Sequence, residues 1–190
     1  ATFTSPPVAV CRARAFSANE ERLLDVYLAY YGRPADVAGL AYWRALADER
    51  GDVGFTIDAF SQSTEFQRRF GQMDAVQLIA NLYQQMYGRE PDPAGAAFFG
   101  AQLASGQTSL VSIAIHIFDG RLGTDQLVVE NRRKVARHFV TRFEELGSAA
   151  PVLNDGNVLA ALLADVRMDA ATAQAGCALA DQLLERPAGQ

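Results

Sequence analysis

Apolar residues recur at helical spacing along most of the chain. Leu23, Leu24, Tyr27, Leu28 and Tyr31 define one helical face, and Ser17-Ala18-Asn19-Glu20 ahead of them is a capping-box pattern. Gly32 suits the left-handed stop that follows. Asp36 then opens a second helix carrying Leu40, Trp43 and Leu46, broken by Gly51 and Gly54. A short helix over 55–60 follows, and Ser63 caps another through Phe66 and Phe70. The pattern restarts at Asp74 with Leu78, Ile79, Leu82, Tyr83 and Met86, ended by Gly88. Pro91-Asp92-Pro93 begins a helix filled by Phe98, Phe99 and Leu103. Residues 110–118 are almost all apolar and are expected at the centre of the core. The longest helix is expected from Thr124 to Leu146, stopped by Gly147. Asn154-Asp155-Gly156-Asn157 opens a further helix, and the last runs from Asp169 to Leu184. The β-branched Val111, Ile113, Ile115 and Ile117 would suit a strand, but no second strand of similar quality exists to pair with it, so the predicted fold is all-α, with eight to ten helices around one core. Residues 1–16, with Pro6-Pro7, read as an extended arm, residues 17–186 as a single domain, and residues 187–190 as a frayed end.

Two stretches of this pattern are copies. Tyr27, Tyr31, Gly32, Arg33, Asp36, Gly39, Tyr42 and Trp43 recur, 56 positions later, as Tyr83, Tyr87, Gly88, Arg89, Asp92, Gly95, Phe98 and Phe99. A helix–turn–helix unit is therefore duplicated, within repeats of about 20–71 and 76–123. Each recurring residue has a physical role in a corner. Gly32 and Gly88 permit a positive φ. Asp36 and Asp92 cap the next helix, and Arg33 and Arg89 stand three residues before them, in reach of a pair. Gly39 and Gly95 allow close helix approach, and the aromatic pairs fill the space between helices. A corner built this way is expected to be scaffolding. Calcium or a sugar held by the two loops is the alternative, although one aspartate per loop is few for calcium.

The 190 residues are 49% hydrophobic and 21% charged, the profile of a globular domain. Net charge is −5, which argues against nucleic acid as the partner. No apolar run reaches the length of a membrane span. The chain opens at Ala1 without a methionine, which reads as a mature chain after signal-peptide removal or as a trimmed one. Export predicts an extracellular or periplasmic location. Two cysteines, Cys11 and Cys177, stand near the two ends. The preferred reading is a disulfide tying the arm to the last helix, and the alternative is two separate buried thiols.

Candidate chemistry is sparse. His116 and His138 have no second ligand at i+3 or i+4, so one is expected partly buried and the other at the surface, with no metal. Tyr30, Tyr42 and Trp43 are candidates for partner or glycan contact, against core filling as the alternative. Arg12, Arg14, Arg132, Arg133 and Arg137 read as solvated faces, as do the acid pairs Glu20-Glu21 and Glu144-Glu145.

The corner motif, Phe60-Ser61-Gln62-Ser63-Thr64-Glu65-Phe66 and Asn131-Arg132-Arg133-Lys134-Val135-Ala136 together resemble the bacterial family of domain of unknown function 4214. The corner is also remotely similar to that of phycobilisome linker domains. The likeness covers about residues 20–185, including 163–180 near the end. It implies an all-helical domain of secreted or surface proteins, and lends no catalytic residues. This chain departs from the family's usual setting by lacking glycine-rich calcium repeats and by carrying the two cysteines. The expected function is a non-catalytic, exported module for protein–protein or cell-surface contact in a matrix, pilus or surface layer. It would dock a protein or surface polymer, with self-association one form of docking, and needs no cofactor. A carbohydrate- or calcium-binding module is the alternative, and an enzyme of unfamiliar kind is third.

Overall fold

The structure, a computed structural model, describes residues 10–147 and 151–186. The readings at Pro6-Pro7 and at the frayed end lie outside these residues. Among the described residues the fold is all-α, with ten helices: α1 (Ala18–Tyr31), α2 (Val37–Arg50), α3 (Thr56–Ser61), α4 (Thr64–Phe70), α5 (Ala75–Tyr87), α6 (Pro93–Ala104), α7 (Ile113–Asp119), α8 (Thr124–Leu146), α9 (Gly156–Ala161) and α10 (Ala170–Leu184). A 3₁₀ turn, Pro151–Asn154, precedes α9.

Local chemistry explains most boundaries. Ser17 and Glu20 form the capping box of α1, and Asp74 with Gln77 forms that of α5. Ser63 caps α4 by accepting from Phe66 N–H. Gly32 and Gly88 adopt φ of +63° and +69°, closing α1 and α5 in the left-handed region that glycine tolerates. Two boundaries, one start and one stop, differ from the sequence pattern. The apolar run becomes helical only at Ile113, because Ser109 and Ser112 bond one another's main chain in a turn and leave Leu110 exposed. Helix α9 stops at Ala161, and Leu162 and Leu163 reach the core from the turn that follows.

One hydrophobic core unites the elements. Helix α1 runs through it, touching α2, α3, α4, α5, α7 and α8. Its side chains from Leu23 to Tyr30 are all buried, including Asp25. Helix α7 is buried at Ile113, Ala114, Ile115, Ile117 and Phe118, as its composition predicts. Helix α8 packs against α1 on one side and along α10 on another. Ion pairs set its direction: Arg133 pairs with Asp25 at 2.8 Å and Arg137 with Glu21 at 2.9 Å, so α8 runs antiparallel to α1. The Arg133 and Arg137 face, read from sequence as solvated, is therefore an interhelical seam. Glu21 belongs to the same seam, while Glu20 is buried in the capping box and against Arg14.

Candidate functional site

The two corners have nearly the same geometry. In the first, the Arg33 guanidinium lies 5.2 Å from the Tyr27 ring centre and 5.1 Å from that of Tyr31. In the second, Arg89 stands 5.1 Å from Tyr83 and 6.0 Å from Tyr87. The tyrosine pairs meet edge-on at 5.7 Å and 5.4 Å. Each arginine also donates to a carbonyl within the turn, Arg33 to Pro34 at 3.0 Å and Arg89 to Glu90 at 2.8 Å. A Cβ at Gly39 would stand against the Tyr27 hydroxyl, and one at Gly95 against that of Tyr83, 2.7 Å away. These glycines let the α2 and α6 backbones close onto the preceding helices. Burial pushes the Tyr27 phenol above its ordinary pKa, with Asp36 adding to the rise, so the ring stays neutral.

The main partner of each arginine is a carboxylate that the repeated motif does not contain. Arg33 donates to Glu65 through Nε and Nη2 at 2.7 and 2.9 Å. Arg89 does the same to Asp125 at 2.8 and 2.7 Å. Glu65 and Asp125 are each the second residue of their helix, α4 and α8, where the positive helix end also favours an acid. Each corner thus binds three helices through a bidentate fork. Burial works against the Arg33 charge, yet Glu65 outweighs it and holds the guanidinium above its ordinary pKa. The aspartates differ. Asp36 caps α2 by accepting from Gly39 N–H at 2.8 Å, whereas Asp92 makes no side-chain cap and leaves Pro93 to start α6. Their pairs with arginine, 3.3 Å at Asp36 and 3.9 Å at Asp92, are secondary. Both corner carboxylate sets are neutralised by guanidinium groups, which disfavours calcium there.

At the outer edge of each corner stands an exposed ring. Tyr42 is 59% exposed and Phe98 57%, at equivalent positions of the two repeats. Each meets its neighbour edge-on, Tyr42 against Trp43 at 4.9 Å and Phe98 against Phe99 at 5.0 Å. Trp43 and Phe99 anchor the pairs inward, against Phe60 and Tyr83 respectively. Tyr30, grouped with Tyr42 and Trp43 as a contact residue, is fully buried. It offers no ring to a partner, since its hydroxyl donates to the Val111 carbonyl at 2.7 Å inside the core.

One histidine is exposed and the other is buried. His116, within the apolar run, is exposed, while His138 on α8 is 1% exposed. His138 Nδ1 accepts from Arg12 N–H at 2.8 Å, and Nε2 meets Asp181 of α10 at 2.9 Å. Both ring nitrogens thus serve as pins. Arg14 N–H donates to Thr141 at 3.0 Å, so alternate residues of the extended arm bond to α8. Their side chains are also engaged, Arg12 with Glu145 and Arg14 with Glu20 and Glu144. The acids and arginines read as solvated faces are therefore intramolecular partners. Cys11 and Cys177 form a disulfide with a Cα separation of 5.5 Å, fastening the arm to α10. Arg132 departs furthest from a solvated face: it is buried, and donates to the Gln85 and Val166 carbonyls.

Among the described residues, no three His, Cys, Asp or Glu side chains are grouped to hold a metal, and no helix is long and apolar enough to cross a membrane. No curated protein and no solved structure matches the chain. Residues 57–119, which run from α3 through the second corner to the end of α7, match the model of the family described as Domain of unknown function (DUF4214), the family whose motif the corners resemble.

Proposed function

We propose that this chain is a non-catalytic interaction module, acting outside the cytoplasm, that docks a partner protein or surface polymer through Tyr42 and Phe98. One observation carries the reading: the same edge of both corners presents an exposed ring, each braced edge-on by a second aromatic. A single exposed aromatic is common on protein surfaces. Two at equivalent positions of a duplicated unit give two like contacts, and linked contacts multiply affinity. Aromatic rings are also enriched at protein interfaces. The Cys11–Cys177 disulfide supports an oxidising compartment, where such a bridge persists.

The test combines light scattering with capture from the native cell-surface fraction, using the wild type and Y42S, F98S and the double variant. The reading expects self-association or a captured partner that each single change weakens and the double change abolishes, with helix content intact. Equal behaviour of wild type and double variant overturns it.

A further inference from the structure

A cleft of about 370 Å³ lies where the two repeats meet the C-terminal segment. Gly32 and Gly88 both border it, so α1 and α5 end at its wall. Three arginines reach it from separate elements: Arg69 from α4, Arg132 from α8, and Arg167 from the turn before α10.

Their hydrogen bonds go to neutral groups. Arg69 donates to the Gln85 side-chain oxygen at 2.6 Å, and Arg167 to the Ala164 carbonyl at 2.7 Å. Arg132 donates through Nε to the Val166 carbonyl at 3.3 Å and through Nη1 to the Gln85 carbonyl. Among the described residues, none of the three forms an ion pair, whereas Arg12, Arg14, Arg22, Arg33, Arg89, Arg133, Arg137 and Arg142 all do. No carboxylate lines the cleft among those residues.

Arg132 is 4% exposed, and its remaining terminal nitrogen, Nη2, has no partner among the described residues. That nitrogen is not sealed in the core, because no fully buried side-chain nitrogen or oxygen lacks a partner among the described residues. It therefore opens onto the cleft that Arg132 lines. Burial, reinforced by the nearby charge of Arg167, lowers the Arg132 pKa to about 10. The negative ends of α1 and α5 offset part of the charge, at about half a unit each. Three guanidinium groups exceed that by about two charges. Arg69 is exposed and Arg167 half-buried, so the cost falls on the buried Arg132, whose charge is unfavourable beside another guanidinium until an anion enters. Guanidinium forks match the oxygens of phosphate and sulfate, and the volume fits more than a bare ion.

We propose that this cleft binds a tetrahedral oxyanion, a phosphate or sulfate group, held between Arg69, Arg132 and Arg167. Asn157, at the rim, is placed to contact what the oxyanion is attached to. The site does not depend on the exposed rings, so each proposal stands or falls alone.

The test is titration of the full chain with inorganic phosphate and sulfate, followed by calorimetry and by arginine Nε–H signals in NMR spectra, against chloride at matched ionic strength. Saturable binding is expected, with the Arg132 and Arg167 signals shifting. R69Q and R167Q should each weaken it about tenfold, roughly the worth of one charge-assisted hydrogen bond. R50Q, a surface control, should leave it unchanged. R132M is expected to abolish binding if it folds; R69Q and R167Q decide the matter if it does not. A hexose 6-phosphate and a sulfated polysaccharide distinguish a small ester from a polymer as the source of the group. Binding no stronger than chloride, or binding that R50Q weakens as much as R69Q and R167Q do, overturns the proposal.

Discussion

Gln85 donates a buried hydrogen bond of 2.7 Å from Nε2 to the main-chain carbonyl of Ala29, the residue that holds its own position in the first repeat. The first helices of the two copies, α1 and α5, meet at this point, and the repeat symmetry breaks there. Alanine on α1 leaves room, and glutamine on α5 fills it. Ala29 lies in the last turn of α1, where carbonyls have no partner within the helix. The same side chain accepts from Arg69 at 2.6 Å, so one amide serves two needs. Q85A should destabilise the fold by about 1–3 kcal/mol, the cost of leaving buried polar groups unpaired. Urea unfolding measures this, and a change within about 0.5 kcal/mol, the range of an ordinary surface substitution, would show that the bond is incidental.

The two corner forks are alike in geometry but not in exposure, and this predicts unequal responses. Removing Arg33 frees Glu65, whose side chain is 40% exposed and can take up water. Removing Arg89 strands Asp125, which is 8% exposed. R89M should therefore cost about 2–4 kcal/mol, and adding D125N should recover much of it, because a neutral amide needs no counter-charge. For the first corner, adding E65Q to R33M should recover little. Thermal unfolding of the four variants reads the difference. Equal recovery at both corners would remove the role given to exposure.

The corners were legible because their determinants are local. Glycine, arginine and aspartate lie within a few residues, and the duplication marks them. The carboxylates that complete the forks were not legible. Glu65 lies 32 residues from Arg33 and Asp125 36 from Arg89, so the fixed offset fails, and the residue types differ. Helix α8 misled for another reason. A single apolar stripe suggests one buried face, but α1, α5, α10 and the arm surround this helix. Arg132, Arg133, Arg137 and His138 are then interior or seam residues, although their sequence context is that of a surface. His116 is the converse: its neighbours are core, and its own position on the helix points outward.

Acid should weaken the fold partly through Glu20. Burial alone would raise its pKa, but the Arg14 guanidinium and the Ser17 N–H outweigh this and hold it below the ordinary value of 4.5. A carboxylate with a lowered folded pKa stabilises the native state above its unfolded pKa. That contribution fades as pH falls from about 4.5 through the folded value. E20Q removes the titration and the ion pair with Arg14, while a glutamine can still serve the capping box, as Gln77 does in α5. The variant should be less stable at neutral pH and should lose less between pH 5 and pH 3, a range around the ordinary glutamate value of 4.5. Chemical denaturation across that range tests it. A parallel acid limb in both proteins would assign the loss to other carboxylates, with Glu130, also held low by Arg137 and Arg133, the next to examine.

The disulfide closes a loop of 166 residues in sequence, so the chain-entropy view places its effect near the upper end, about 5 kcal/mol. Its local effect is separable from that figure. The arm also holds α8 through Arg12 N–H to His138 and Arg14 N–H to Thr141, and those bonds do not require the bridge. Replacing both cysteines with serine should lower stability by about 2–5 kcal/mol and admit a transient release of the arm. Hydrogen exchange at the Arg12 and Arg14 amides would then rise towards the rate of a free segment, while the buried α1 amides stay protected as long as the domain folds. If the two arm amides remain as protected in the serine variant as in the oxidised chain, the histidine and threonine bonds alone fasten the arm. The bridge would then act on the unfolded chain and not on the native one.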